Sequence, residues 1–322
     1  MKLLATLVLA AFLLPPANAQ SAPAPTKPKE PTAQKAVLVT GASSGIGRKT
    51  AELLAANGFF VYATARKEAD LKELAAIANV QAIPLDVGKQ DQIDAAVQTI
   101  EKAGRGLFGL INNAGIVALA PLIEVREQDL QQQLDVNVMG PYRLTKAFAP
   151  LLIASKGRVC TTGSISGIAT WPMGGPYTMS KHAVEAFTDV LALELRPFGV
   201  HVGVVEPGNY RSEIMANMQQ RLRDGGYGGE GSRYRQQIQR MLTQPTDRTQ
   251  YAEPDDVAKA FLTQMTAASP RQRVMVVPNL REAELTIRAA LVRVVQYNAE
   301  QPFAYDRDTL VRMLDEELQK AK

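Results

Sequence analysis

The chain has 322 residues, of which 46% are hydrophobic, so it is long and apolar enough to bury a substantial core. Its net charge is +4, with basic residues scattered along the sequence; the one richer stretch, Arg221 to Arg240, is interrupted by glycines and reads as a solvated loop, not a nucleic-acid surface. Cys160 is the single cysteine, which excludes an internal disulfide, and the only histidines, His182 and His201, have no metal-ligand spacing.

In chain order, the first element is a leader. Met1-Lys2, an apolar run from Leu3 to Leu14, and Ala17-Asn18-Ala19 before Gln20 have the form of a secretory signal over residues 1–19 with an A-x-A cleavage site. The run is short for a membrane span. Residues 20–34 contain Pro23, Pro25, Pro28 and Pro31 and read as an extended tether. Two settings stay open: export, or retention of an uncleaved leader at the inner face of a membrane.

From residue 35 the pattern alternates. Short apolar runs near 36–40, 59–65, 80–85, 107–112, 157–162, 200–206 and 273–277 read as strands. Helical periodicity fills the intervals near 46–57, 68–78, 90–103, 126–153, 176–196 and 254–267. Such alternation means βαβ units and right-handed crossovers. The expected fold is a single α/β domain over residues 35–280: a doubly wound parallel sheet of about seven strands with helices on both faces, the Rossmann fold. Cys160 falls inside a strand pattern and reads as a small buried hydrophobe.

Three stretches carry chemistry. Thr40-Gly41-Ala42-Ser43-Ser44-Gly45-Ile46-Gly47 stands between the first strand and the first helix, where glycines let a backbone approach a pyrophosphate and a helix N-terminus offers free N–H groups. Farther on come Ser164, then Tyr177 and Lys181, the last two spaced i, i+4 at the start of a helix. That spacing puts phenol and ammonium on one face, and a cation so close is expected to pull the phenol pKa down. Tyr177 would then act as general acid or base on an alcohol oxygen. At the end of the second strand, Ala65-Arg66 replaces the carboxylate that holds a ribose 2′-hydroxyl in NAD-preferring folds. Arg66 can grip a 2′-phosphate, with Arg48 or Lys67 assisting, so NADP is expected over NAD.

The TGxxxGxG loop, Asn112-Asn113-Ala114-Gly115 and Tyr177-x-x-x-Lys181 together resemble the short-chain dehydrogenase/reductase family over roughly Lys35 to Pro278. The resemblance implies a catalytic set of Asn137, Ser164, Tyr177 and Lys181, with Asn137 holding a water that links Lys181 to solvent. It also implies Asp86 and Val87 at the adenine, Asn113, Ala114 and Gly115 along the cofactor, and Lys181 on the nicotinamide ribose. Pro207 and Gly208 would close over the nicotinamide, with Ser212 where a threonine is usual. The stretches Gly175 to Asp189 and Glu206 to Tyr210 look like the retinol and hydroxysteroid dehydrogenase branch, which implies a large apolar alcohol or ketone as substrate.

The family builds a substrate lid near 208–250. Here it holds Met215 and Met218, then Gly225-Gly226-Tyr227-Gly228-Gly229, which reads as a mobile hinge or disordered tip. Trp171, Pro172 and Met173 are expected at the pocket mouth. His182 is expected to face away from the site. Residues 281–322 read as a helical extension, with apolar residues at helical spacing over 281–296 and 306–318. By resemblance, helices near 137–153 and 176–196 would pair subunits into a dimer or tetramer.

The expected activity is NADP-dependent interconversion of an apolar secondary alcohol and its carbonyl. A nucleotide-sugar epimerase or dehydratase also uses YxxxK, but with a TGxxGxxG spacing that Gly41, Gly45 and Gly47 do not match. A catalytically idle dinucleotide-binding sensor is the alternative from another class; it predicts a damaged catalytic set, and none of the four residues is missing.

Overall fold

The computed structural model describes residues 34–320, so the expected signal and tether lie outside the described residues. The first half runs β1 (Ala36–Val39), α1 (Gly45–Ala56), β2 (Phe60–Ala65), α2 (Glu68–Ala75), β3 (Val80–Pro84), α3 (Gln90–Lys102) and β4 (Gly109–Asn112). Next come α4 (Glu127–Leu134), α5 (Gly140–Ala154), β5 (Arg158–Thr162), α6 (Gly175–Leu195) and β6 (His201–Pro207). The chain closes with α7 (Ile214–Asp224), α8 (Arg235–Thr243), α9 (Asp255–Thr266), β7 (Arg273–Val276), α10 (Leu280–Asn298) and α11 (Arg307–Lys320).

All seven strands pair in parallel in the order β3-β2-β1-β4-β5-β6-β7. Parallel strands need crossovers on both faces, so each strand buries both sides and reads as a continuous apolar run. β1 shows the division. Val37 and Val39 point into a cluster with Leu54 of α1 and Val257, Phe261 and Met265 of α9. Leu38 points the other way, into Ile93 and Ile100 of α3 and Leu144, Phe148 and Leu152 of α5. Alternate residues of a strand face opposite sides of its sheet, so one four-residue strand anchors two cores. Cys160 on β5 is buried in the first of them, and burial pushes its thiol pKa up.

Because β1 is flanked by β2 and β4, the strand order reverses between β1 and β4. The C-terminal strand ends diverge there and open a crevice.

Two expectations need correction. The single helix anticipated over 126–153 is broken by a π-turn at Asp135–Met139, between α4 and α5. The lid is not a solvated loop with a loose tip: α7 and α8 occupy it, and the glycine run between them is fastened down. Tyr227 Oη donates to Asp129 at 2.5 Å and accepts from the Arg126 backbone N–H at 2.9 Å, while Ser232 Oγ donates to Glu124 at 2.7 Å. The glycines supply positive φ at Gly226 and Gly228, which lets the turn present Tyr227 to α4. The two helices are mostly polar, and Met218, Leu222 and Ile238 are their buried apolar residues.

Candidate active site

A cleft of about 970 Å³ lies along the C-terminal strand ends, between the glycine loop, the ends of β4 and β5, the start of α6 and the lid. Each expected site residue but Thr40 lines it: Gly41, Ser43, Ser44, Gly45, Ile46, Gly47, Arg66, Asp86, Val87, Asn113, Ala114, Gly115, Asn137, Ser164, Tyr177, Lys181, Pro207, Gly208 and Ser212.

The loop after β1 is built around close approaches. A Cβ on Gly47 would stand 2.2 Å from the Gly41 carbonyl oxygen and 2.4 Å from Asn113 Nδ2, so only glycine fits. Gly41 has φ +63°, and a Cβ there would meet Ala114 Cα at 2.8 Å. Ser44 precedes α1 without capping it through its side chain, which leaves the first N–H groups of the helix facing the cleft. That cradle fits a dinucleotide diphosphate.

Thr40 does something other than touch a ligand. It is fully buried, and its Oγ1 accepts from the N–H groups of Asn113 at 2.9 Å and Ala114 at 3.0 Å while donating to the Ile111 carbonyl. Asn113 Nδ2 returns bonds to the carbonyls of Thr40 and Gly41, and its Oδ1 accepts from Thr162 Oγ1 at 3.1 Å. Thr40 thus welds the ends of β1 and β4, and this fixes the floor of the cleft. Its place at the head of the glycine motif gave no hint of that role.

At the β2 end, Arg66 projects into the cleft and is 67% exposed, with Asp86 at 3.9 Å. An exposed pair at that separation is worth no more than about 1 kcal/mol, which leaves the guanidinium free for a stronger anion. Lys67 also lines the cleft. Arg48 does not; it is tied to Glu52 at 2.6 Å and Glu73 at 3.4 Å, so the expected help from it is withdrawn. Asp86 Oδ1 accepts from the Gly88 N–H, which shapes the turn after β3.

Asn137 sits in the π-turn, an irregularity that often marks functional positions. Its amide pairs with the Ile116 backbone, accepting from N at 2.9 Å and donating to O at 3.0 Å, and its Nδ2 also reaches Ser180 Oγ at 3.1 Å. Gln133, one turn earlier, bonds Ile116 O and Ala118 N in the same way. These bonds hold the strand-like segment after the Asn113-Ala114-Gly115 turn open along the cleft.

Ser164, the last residue before a short 3₁₀ turn, accepts from the Ser166 N–H at 3.1 Å. Lys181 is 7% exposed and donates from Nζ to the Thr162 carbonyl at 2.7 Å; the ammonium lies 5.7 Å from the centre of the Tyr177 ring. Burial lowers the Lys181 pKa to about 8, opposed by Glu185 one turn farther along α6.

The expected drop in the Tyr177 pKa is not found. Burial raises it, opposed by the Ser164 hydroxyl, because Lys181 spends its ammonium on Thr162 rather than on the phenol oxygen. From protein groups alone Tyr177 stays a neutral phenol.

Part of the cleft wall is apolar, beside the polar lid residues Arg211, Glu213, Asn217 and Arg248. Ile116, Val117, Leu119, Trp171, Ile214 and Met215 line the cleft, whereas Pro172 and Met173 do not, and Met218 is buried in the domain instead. His182 points away as expected: its Nδ1 meets the Thr178 carbonyl, and its other nitrogen meets Arg293 of α10. Among the lining residues outside the motifs are three from later in the chain. Arg248 stands in the lid, and Glu282 and Leu285 belong to the first turns of α10, in the stretch read as an extension. Asn279 caps α10 by accepting from the Glu282 N–H, and Glu282 in turn accepts from the Asn209 N–H at 2.8 Å. An Asn followed three residues later by Glu is a helix-start signal that could have placed this turn.

The profile of the short chain dehydrogenase family matches residues 35–223. Among curated proteins, 3-amino-tetrahydro-pyrrolizinone reductase of Xenorhabdus hominickii is 41% identical over 54% of this chain; the alignment spans 61% of that protein's own length. The mitochondrial D-beta-hydroxybutyrate dehydrogenase of Bos taurus is 34% identical, with 76% of this chain and 77% of that protein aligned. Among solved structures, a metagenomic short-chain oxidoreductase in complex with NADP superimposes with a TM-score of 0.59 and 28% identity, covering 76% of this chain and 98% of that one. A profile match over this span, on a sheet of this strand order, makes the chain a member of the short-chain dehydrogenase family.

Proposed function

We propose that the protein is an NADP-dependent oxidoreductase that interconverts a secondary alcohol and a carbonyl on a largely apolar substrate. The observation that carries this reading is that Ser164, Tyr177 and Lys181 share one cleft with the glycine loop, so proton transfer and dinucleotide meet in a single space. The glycine loop and the start of α1 would hold the diphosphate, and Asp86 and Val87 the adenine. Pro207 and Gly208 would cover the nicotinamide, and Arg66 would hold the 2′-phosphate. Bound there, the nicotinamide gives or takes the hydride. NADP is also what the metagenomic relative carries in its crystal structure.

A neutral Tyr177 is the form that would protonate a carbonyl oxygen as that oxygen gains charge. Ser164 would donate a hydrogen bond to that oxygen, a preorganised contribution to the transition state. In the reverse direction the same phenol takes the alcohol proton. Ile116, Leu119, Trp171 and Met215 support an apolar substrate, since they offer the carbonyl's substituents few polar partners.

The test is a decrease in reduced-nicotinamide absorbance on mixing the protein and NADPH with a panel of aliphatic, steroid and retinoid ketones and aldehydes. Absence of turnover with every carbonyl, together with tight NADPH binding, would favour the idle dinucleotide-binding alternative. An exported or membrane-associated setting is proposed from residues 1–19, and the mass of the mature N-terminus tests it. A homodimer or homotetramer is proposed through α5 and α6, where Tyr142, Met179, Val190 and Leu193 are exposed; sedimentation velocity tests it.

A further inference from the structure

Between α8 and α9 the lid returns to the domain through a loop that carries Arg248. Its side chain is hard to account for as a structural element. The residue is 7% exposed, and its guanidinium lies 3.9 Å from the centre of the Tyr251 ring. Nε is buried with no hydrogen-bond partner, and among the described residues no carboxylate comes within ion-pairing distance of this guanidinium. The nearby acids are committed elsewhere. Glu253 pairs with Arg211 at 2.6 Å, and Glu282 accepts from Asn209 and Asn279. Glu282 attracts this guanidinium through space without bonding it and Tyr251 stacks on it, so the buried, unbonded Nε is left with capacity for an anion. Burial pushes its pKa down, yet a guanidinium remains charged throughout the ordinary range.

The loop is fastened at the phosphate end of the cleft. Arg211 N–H donates to the Ala252 carbonyl at 2.9 Å, which binds the loop to the segment carrying Ser212. Ser212 Cβ lies 3.7 Å from where a Cβ on Gly45 would be, so that segment touches the start of α1. From the other side, Lys49 of α1 reaches Asp255 at the head of α9, 3.5 Å away. Arg248 and the open N-terminus of α1 therefore line the same cleft, one as a fixed cation and the other as the positive end of a helix.

We propose that Arg248 is a ligand for an oxyanion bound in this cleft, closing from the lid on the side opposite the glycine loop. The dinucleotide diphosphate is the oxyanion that the placement beside α1 favours; a carboxylate or phosphate on the substrate is the other source of the same chemistry. Arginine suits either, because its planar fork donates two parallel hydrogen bonds to one oxyanion. This inference rests on the functional reading above only for the identity of the diphosphate.

The experiment compares wild type with Arg248→Met and Arg248→Lys by calorimetric titration, using NADPH, inorganic pyrophosphate and adenosine 2′-monophosphate as probes. Arg248→Met is expected to weaken both NADPH and pyrophosphate by about tenfold or more, from the usual worth of a charge-assisted hydrogen bond. It should leave adenosine 2′-monophosphate, which lacks a diphosphate, within about twofold. Arg248→Lys should recover part of the loss, which a packing role for the side chain would not produce. If the Met variant is poorly folded, the Lys variant carries the same comparison.

A second arm measures KM for a keto acid and its methyl ester. A selective rise for the acid in the variants, with NADPH affinity unchanged, assigns the oxyanion to the substrate. Unchanged affinity for all anionic probes and an unchanged acid-to-ester ratio overturn the proposal. Wild type that binds pyrophosphate through Arg248 but binds no dinucleotide leaves the inference standing and removes the functional reading.

Discussion

The two walls of the cleft are made differently. The wall built by β4, β5 and α6 is a mesh of side chains bonded to backbone: Thr40 to Asn113 and Ala114, Asn137 to Ile116, Lys181 to Thr162. The lid wall instead presents Arg248, whose Nε has no bonded partner, with Ile214 and Met215 among polar side chains, and it is held to the domain at polar points such as Tyr227 to Asp129. On the proposed function, the first wall would fix where a reacting oxygen and a nicotinamide sit. The second decides what else fits, and this is why short motifs describe the first and miss the second.

The largest effect is expected where the rigid wall does chemistry. Tyr177→Phe removes the proposed proton carrier and should lower kcat by about a thousandfold, within the usual range for general acid–base catalysis, while NADPH affinity by titration stays near wild type. Retained turnover would move the acid–base role to another group.

Next in size is Gly47→Ala. The new Cβ would fall 2.2 Å from the Gly41 oxygen, so the loop must shift by more than an ångström. A loss of about 1–3 kcal/mol in unfolding free energy is expected by denaturant titration, together with a clear weakening of NADPH binding. A substitution without effect on either would show that the loop of the rigid wall is softer than its contacts imply.

Arg66→Ala sharpens the comparison at the cofactor's far end. It should reduce the ratio of kcat/KM for NADPH over NADH by about tenfold to a hundredfold, mostly through KM for NADPH. An unchanged ratio would assign the 2′-phosphate to Lys67 or to a group on the lid.

The smallest effect concerns the layer behind Lys181. Glu206 is buried beside Glu185, and burial together with that neighbouring carboxylate holds its pKa above the ordinary 4.5, opposed by Arg273 at 3.2 Å. The native state then keeps a proton that the unfolded chain releases, so stability declines as pH rises from about 4.5 toward the raised value. Glu206→Gln cannot titrate and should flatten that decline in Tm against pH. Lys181 has the opposite sign: its native pKa of about 8, against an ordinary 10.5, adds a rising slope between those two values. A Gln variant with the wild-type profile would remove Glu206 as the source of that decline.

The sheet could be read from the sequence because parallel strands buried on both faces leave unbroken apolar runs, as in Ala36–Val39 and residues 202–205. The dinucleotide loop and the Ser164, Tyr177 and Lys181 set were equally visible, since backbone geometry ties those residue types to fixed spacings. Other features left no local trace. The π-turn at Asn137 adds one residue to a helix without changing its composition. The Tyr177 pKa depends on where Lys181 Nζ points, and spacing along a helix does not say that. Helices α7 and α8 are mostly polar, so their few buried apolar residues stand out less than the glycines between them. Arg248 is one cation in a polar loop, distinguished only by what packs around it.

Glu282 and Leu285 belong to the far end of the chain, yet they stand beside Gly208 and Asn209 in the cleft. The reaction chamber is therefore finished only after most of the polypeptide has been synthesised. A truncation before Asn279 would leave every signature motif intact and still deliver an enzyme with a breached compartment.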